Sequence, residues 1–249
     1  MKIKGLIFDF GFTLFHFKDV SVEKYLNCYK AGLTRSLERL TELNVLNNLI
    51  LREKMIKTFN NLRAEHFKES FKTKKEYKTS LIFKETFEKH DIVGLDDQIL
   101  DDLASIFHSC ESEEWIPFQY TKETLKSLKN KKKIKLAVLS NHPHHATIEN
   151  LLLKYDLMKF FDAVVTSAEY GKRKPDPGIF HYTIQKMGLK SPQYCMVCGD
   201  EYADISGGNK AGLKTILCTR TFKFPFEKEV KDQEFIKVND ISEVIKYID

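Results

Sequence analysis

Four short polar segments, each at the end of an apolar run, carry residue types that together suit a phosphate group. They are Asp9-Phe10-Gly11-Phe12-Thr13, Ser140-Asn141, Lys174-Pro175 and Gly199-Asp200, with Asp204 four residues further on. Ligands of open α/β sheets bind outside the carboxyl ends of the strands, so four such ends can line one crevice. Asp9 is a carboxylate just past a buried-strand pattern. It reads either as a turn or cap residue or as a nucleophile able to form an acyl phosphate. Ser140 and Asn141 follow Leu136-Ala137-Val138-Leu139, where they can cap the next helix or donate hydrogen bonds to an oxyanion. Lys174 sits in a strand-to-helix loop before Pro175, a suitable place for neutralising phosphate. Asp200 and Asp204 are one helical turn apart and can face one site, as paired caps or as oxygen ligands of Mg2+. A Mg2+ site typically takes one or two carboxylates plus substrate oxygens.

The elements that must position these residues are legible as alternating patterns. Ile3–Phe8, Ile134–Leu139, Phe161–Thr166, Tyr194–Cys198 and Thr215–Cys218 read as strands, with a weaker one at Phe235–Val238. Between them, Ile148, Leu151, Leu152 and Tyr155 have helical spacing, as do Phe180, Ile184 and Met187. Asp176-Pro177 opens the second of these helices and Gly188 closes it. Strands alternating with helices predict a doubly wound α/β core, a Rossmann-like parallel sheet covered on both faces. Residues 17–115 differ. They hold two glycines, Gly32 and Gly94, no proline, and several amphipathic stretches. They predict a helical insertion, with residues 1–16 and 116–249 forming the core and Trp115-Ile116-Pro117 marking the return.

The order and spacing of the polar segments resemble the haloacid dehalogenase superfamily, whose members are mostly phosphatases. The resemblance covers nearly the whole chain. Asp9 with Thr13 matches the first motif, Ser140 the second, Lys174 the third, and Asp200 with Asp204 the fourth. Gly207-Gly208-Asn209-Lys210-Ala211-Gly212 resembles the small-residue helix that follows, and the insertion resembles the family's cap. The resemblance implies a hydrolase with Asp9 as nucleophile and Ser140 and Lys174 on the phosphoryl oxygens. Thr13 and Asn141 are further binding residues. Mg2+ is held by the side chains of Asp9 and Asp200 and by the backbone carbonyl of Gly11, with Asp204 orienting the metal shell or Lys174. The substrate is small, anionic and phosphorylated, enclosed by the cap.

The chain departs from the family at Gly11-Phe12. Typical phosphatase members carry a second Asp at the Gly11 position and Gly at the Phe12 position. That Asp protonates the leaving group and then activates water, general acid–base help worth ~10²–10⁴-fold. A backbone carbonyl survives any substitution, so the metal site is retained. Glu23, Tyr25, Glu65 and His66 are cap candidates for a replacement acid. The loss also suits other readings: a 2-haloacid dehalogenase, whose halide leaves unprotonated; a C–P bond hydrolase; or a non-catalytic phosphate- or metal-binding member of the fold. Asp200 argues against the dehalogenase, and retention of Asp9, Ser140, Lys174, Asp200 and Asp204 argues against decay.

Composition excludes other classes. The 249 residues can bury a full core, and 42% hydrophobic with 30% charged residues is ordinary for a soluble domain. A net charge of +5 is too weak and dispersed for nucleic acid. No apolar run is long enough to span a membrane. Five scattered cysteines, an odd number, suggest a reduced cytoplasmic chain. The Cys195/Cys198 pair lies in a buried-strand pattern, not a metal knuckle. His142, His144 and His145 read as a polar loop, since spacing supplies no further ligands for zinc. His16 reads as a hinge residue. A monomer or homodimer is expected.

Overall fold

The computed structural model describes residues 2–248, apart from Val20, Lys133, residues 221–227 and Asp232. Lys133 closes a Lys131-Lys132-Lys133 run read as a solvated turn, which therefore lies partly outside the described residues. The chain begins with β1 (Gly5–Phe8) and β2 (Phe15–Phe17). The helices α1 (Val22–Glu42), α2 (Leu49–Thr73), α3 (Thr79–Glu88), α4 (Asp97–Phe107) and α5 (Glu111–Glu114) follow. After β3 (Trp115–Pro117) and α6 (Thr121–Ser127) come β4 (Lys135–Ser140), α7 (His145–Lys154), β5 (Ala163–Thr166), α8 (Ser167–Tyr170) and α9 (Pro177–Lys186). The chain ends with β6 (Cys195–Gly199), α10 (Tyr202–Lys210), β7 (Lys214–Cys218), β8 (Ile236–Val238) and a 3-10 segment, Ile241–Tyr247.

Six strands form one sheet in the order β5-β4-β1-β6-β7-β8, every pair parallel. Their order along the sheet is that of a dinucleotide-type doubly wound fold, with the reversal between β1 and β6. All six strands expected from sequence are present, each within two residues of its predicted ends. The strands alternate between two buried clusters. Leu6, Phe8, Leu136, Val138 and Met196 point to one face; Ile7, Ala137, Leu139, Val165 and Val197 point to the other. Burial on both faces is what makes these runs nearly all apolar.

The first helices have a core of their own, built from Leu33, Leu37, Leu40, Phe59, Phe83, Leu103 and Phe107 among others. Their ends are set by local chemistry. Ser21 accepts from Lys24 N at the start of α1 and Asp96 from Ile99 N at the start of α4. The insertion leaves and rejoins the sheet through an antiparallel ribbon, in which His16 pairs with Ile116 and Phe17 with Trp115. The hinge region is thus a two-stranded ribbon, which three-residue apolar stretches do not announce.

One cysteine pair departs from the expectation of a fully reduced chain: Cys28 on α1 and Cys110 before α5 form a disulfide. Cys195, Cys198 and Cys218 are buried thiols, and burial pushes the Cys195 thiol up to about 11. That suits the strand reading and not redox chemistry. Among the described residues, no helix is long and apolar enough to cross a membrane.

Gly32 shows why α1 tolerates a glycine at mid-helix. A Cβ there would lie 1.9 Å from the backbone oxygen of Phe107, so α1 and α4 meet backbone to backbone. Gly32→Ala is expected to destabilise the protein by at least about 1–3 kcal/mol, the cost of overpacking, despite alanine's better helix propensity. Urea unfolding should show a lower midpoint; an unchanged or raised midpoint would contradict this contact.

Candidate active site

The four polar segments meet at the carboxyl ends of β1, β4 and β6. Asp9 directly follows β1, and its N–H donates to the Cys198 carbonyl on β6 (2.9 Å). The chain then turns tightly: Phe12 N donates to Phe15 O (2.6 Å), and Leu14 N to Phe10 O (3.0 Å). Phe12 takes φ +58°, a left-handed conformation in which glycine carries no penalty and phenylalanine does. Its ring is held edge-on against Trp115 (5.3 Å) and beneath the Arg220 guanidinium (5.0 Å). The turn also buries Thr13, whose hydroxyl donates to Asp200 Oδ1 (2.9 Å).

Lys174 is the hub. Only 3% exposed, its ammonium donates to Asp9 Oδ1 (2.5 Å), Asp204 Oδ1 (2.7 Å) and the Leu139 carbonyl (3.0 Å). Asn141 clamps the Lys174 backbone from both sides: Oδ1 accepts from Lys174 N (2.7 Å) and Nδ2 donates to Lys174 O (3.1 Å). The peptide bond to Pro175 is cis, and Asp176 and Pro177 open α9 as expected, with Asp176 accepting from Gly178 N. Burial alone would lower the Lys174 pKa. Asp204 and then Asp9 overcome that and hold the ammonium well above its ordinary value.

Asp204 is fully occupied. Its second oxygen accepts from Glu201 N (3.3 Å) in a reciprocal capping box that starts α10. Burial pushes its carboxyl up to about 7, against the pull of Lys174. Of the two partners considered for Asp204, Lys174 is in direct contact with it. Gly199 leaves room for it, since a Cβ there would lie 2.1 Å from the Asp204 carboxyl carbon. Ser140 ends β4 at 7% exposure, opposite Thr166 on β5.

Two residues that the sequence did not assign to the site complete it. Arg220, two residues past β7, pairs through Nη1 with Asp200 Oδ2 at 2.6 Å. Its signal was its position at the end of the strand beside β6. Both oxygens of Asp200 are therefore engaged, by Thr13 and by Arg220. Burial first and the charge of Asp9 next still push the Asp200 carboxyl well above the usual range, with Arg220 pulling the other way. The other is Trp115, the only tryptophan. A Cβ on Gly11 would lie 3.1 Å from its ring, so the indole crowds the side where the family's second Asp stands.

The donor set fits a hard divalent cation. Carboxylate oxygens of Asp9, Asp200 and Asp204 lie within 4.8 Å of one another. With Glu201 also facing this cluster, four carboxyls meet two cations, Lys174 and Arg220. The imbalance favours a further positive charge. The proposed replacement acids sit elsewhere or are engaged: Glu23 and Glu65 are exposed, His66 pairs with Glu85 (2.6 Å) and stacks on Tyr77, and Tyr25 accepts from Tyr29 (2.6 Å).

The Trp115 contact makes Gly11→Ala costly: a lower melting temperature is expected, relieved when combined with Trp115→Leu. A double-mutant thermal-unfolding cycle checks this, and additive effects would show that the two positions do not touch.

Comparisons with known proteins agree with this fold. A family model described as haloacid dehalogenase-like hydrolase matches residues 49–218. A glyceraldehyde 3-phosphate phosphatase of Methanocaldococcus jannaschii is 26% identical over 99% of this chain and 97% of its own length. Two solved structures share the fold. A HAD-hydrolase YfnB from Bacillus subtilis bound to magnesium has TM-score 0.58 at 17% identity, covering all of both chains. A 2-haloacid dehalogenase from Pseudomonas syringae has TM-score 0.62 at 18% identity, covering 98% of this chain and 97% of its own. With its doubly wound sheet and the motifs gathered at its switch point, the chain belongs to the haloacid dehalogenase-like hydrolases.

Proposed function

We propose that this hydrolase is a phosphatase acting on a small phosphorylated metabolite, through an aspartyl-phosphate on Asp9. The observation that carries the reading is the buried Asp9–Lys174–Asp204 relay, with Asp200 beside it, at the switch point between β1 and β6. The relative at 97% coverage is a phosphatase by name. That supports phosphate over a carbon–halogen bond, because the likeness to the dehalogenase extends to fold alone.

Asp9 attacks phosphorus in line as the bond to the leaving oxygen breaks, and water later cleaves the acyl phosphate to release phosphate and free Asp9. Lys174 offsets charge on Asp9 and on the phosphoryl oxygens, and Ser140 at the end of β4 offers a hydroxyl to them. Asp204 and Asn141 fix Lys174 from the side chain and the backbone respectively. Asp9, Asp200 and the Gly11 carbonyl would hold Mg2+, which supplies further neutralisation of the phosphoryl charge when bound. Thr13 orients Asp200 for that role. Gly11 brings no proton to the leaving oxygen, and the Trp115 indole beside it has no acid function. Leaving groups that depart as stable anions therefore turn over best, and the acyl phosphate on Asp9 persists without a base to activate water.

The insertion serves as the lid. Its α2–α3 connection is docked on the core: Glu76, buried, pairs with Arg173 (2.7 Å) and accepts from Ser167. Arg173 N donates to Lys74 O (2.7 Å) and Glu76 N to Gly171 O (2.9 Å). Arg173 adjoins Lys174, so cap position is mechanically tied to the hub of the site. Closure of this kind excludes water from the reacting centre.

Acetyl phosphate and para-nitrophenyl phosphate should be hydrolysed only with Mg2+, and Asp9→Asn should abolish turnover. Rates should rise as the leaving-group pKa falls; a flat dependence would contradict the missing-acid account. Inertness toward phosphates with activity on 2-haloacids would reassign the enzyme. Because Arg220 and a metal ion share Asp200, Arg220→Ala should bind Mn2+ or Mg2+ tighter by about tenfold or more. Calorimetry measures this directly, and equal affinities would remove Arg220 from the site.

A further inference from the structure

The histidines after the second motif lack zinc ligands in sequence, but the fold supplies two more residues. His108, at the end of α4, and Glu111, the first residue of α5, pack against the loop that carries His142. His108 Nδ1 lies 2.7 Å from Glu111 Oε1, and His142 Nε2 lies 3.0 Å from Glu111 Oε2. The three donor atoms fall within 4.8 Å of one another. The outer nitrogen of each imidazole is held in turn. His108 Nε2 meets the Thr79 hydroxyl (2.8 Å), and His142 Nδ1 meets the His144 carbonyl (2.7 Å). Metal-bound histidines are characteristically oriented by such outer hydrogen bonds. His144 stacks on His108 at 5.4 Å with its own Nδ1 against Thr147 (2.8 Å), so it packs the cluster without joining it.

We propose that His108, Glu111 and His142 bind one Zn2+ ion at the junction of the helical insertion and the sheet, separate from the Asp9–Asp200 centre. Two imidazoles and a carboxylate suit Zn2+, whereas Mg2+ prefers an all-oxygen set. Zn2+ bonds of ~2.0–2.2 Å place tetrahedral ligand atoms about 3.3 Å apart. The two His–Glu separations need to widen by only about half an ångström, and the two imidazole nitrogens already lie within 4.8 Å of each other. A water molecule fills the fourth position. The His108 and Glu111 side chains are 1% and 4% exposed and that of His142 is 12%, which leaves an approach on the His142 side. Because Glu111 bridges cap-side His108 and core-side His142, the ion would pin the hinge two residues from Ser140.

Zn2+ and Co2+ titrations of the oxidised protein in excess Mg2+ test this. One equivalent of Zn2+ should survive dialysis, measured by plasma mass spectrometry. Co2+ should give the visible absorption of a four-coordinate N/O site without a sulfur charge-transfer band. Glu111→Gln and His142→Asn should each weaken binding roughly tenfold or more, while Asp9→Asn retains it. No stoichiometric Zn2+ in the wild type would overturn the proposal without any variant. A sulfur band, which would implicate Cys28 and Cys110, or unchanged affinity in His142→Asn would do the same.

Discussion

A lysine ammonium almost without access to water, held between two carboxylates, is the interaction on which the site depends. Removing one partner of such a buried group leaves an uncompensated charge at a cost of about 3–5 kcal/mol. Asp9, Lys174 and Asp204 therefore stand or fall together. The relay also ties three strands and a loop that are distant in sequence. Lys174 reaches the Leu139 carbonyl on β4, Asp9 after β1, and Asp204 in the helix after β6. The parallel sheet makes this possible, because all its carboxyl ends open on one edge.

Around that hub, the chain has exchanged one kind of chemistry for another. Where relatives by resemblance carry an acid, Gly11 faces an indole; where they carry glycine, Phe12 occupies a left-handed conformation between Trp115 and Arg220. An acid at position 11 and Trp115 in its present place compete for the same space. Arg220 follows from the same rearrangement, since Phe12 provides the ring beneath its guanidinium while Asp200 takes its charge. The Gly11 side of the site is aromatic, and the Asp200 side carries a cation of its own. This pocket is tuned differently from one with two aspartates.

The insertion touches the site through its connecting ribbon as well as through its docked α2–α3 connection. Trp115 belongs to the ribbon that joins it to the sheet, and Phe10, Phe12 and Phe17 pack edge-on against its ring. Movement of the ribbon would move the wall of the pocket. The Glu111 bridge and the Glu76–Arg173 pair fix the insertion at two further points, adjacent to the second and third motifs respectively. The position of the insertion and the geometry of the site are thus coupled by contacts a few residues from Ser140 and Lys174.

The sheet was legible in the sequence because strands buried on both faces must be apolar throughout, and their polar ends stand out against that background. Asp9, Ser140 and Asp200 stand at the ends of such runs, whereas Lys174 comes past α8 and Asp204 inside α10, so these two were placed by motif order and spacing. Asp176-Pro177 and Gly188 bounded α9 for equally local reasons, through capping and backbone conformation. Contacts between distant segments were not legible. The ribbon of β2 and β3 is three residues a side, too short for a period. Cys28 meets Cys110 across 82 residues, and Glu111 meets His142 across 31. Arg220 is one of many surface-type charges until β7 lays its end beside Asp200. Sequence determines what each segment buries and where it must turn, since those follow from local hydrophobicity and backbone preference. Which side chains then face one another depends on how the buried faces pack, and only the tertiary structure decides that.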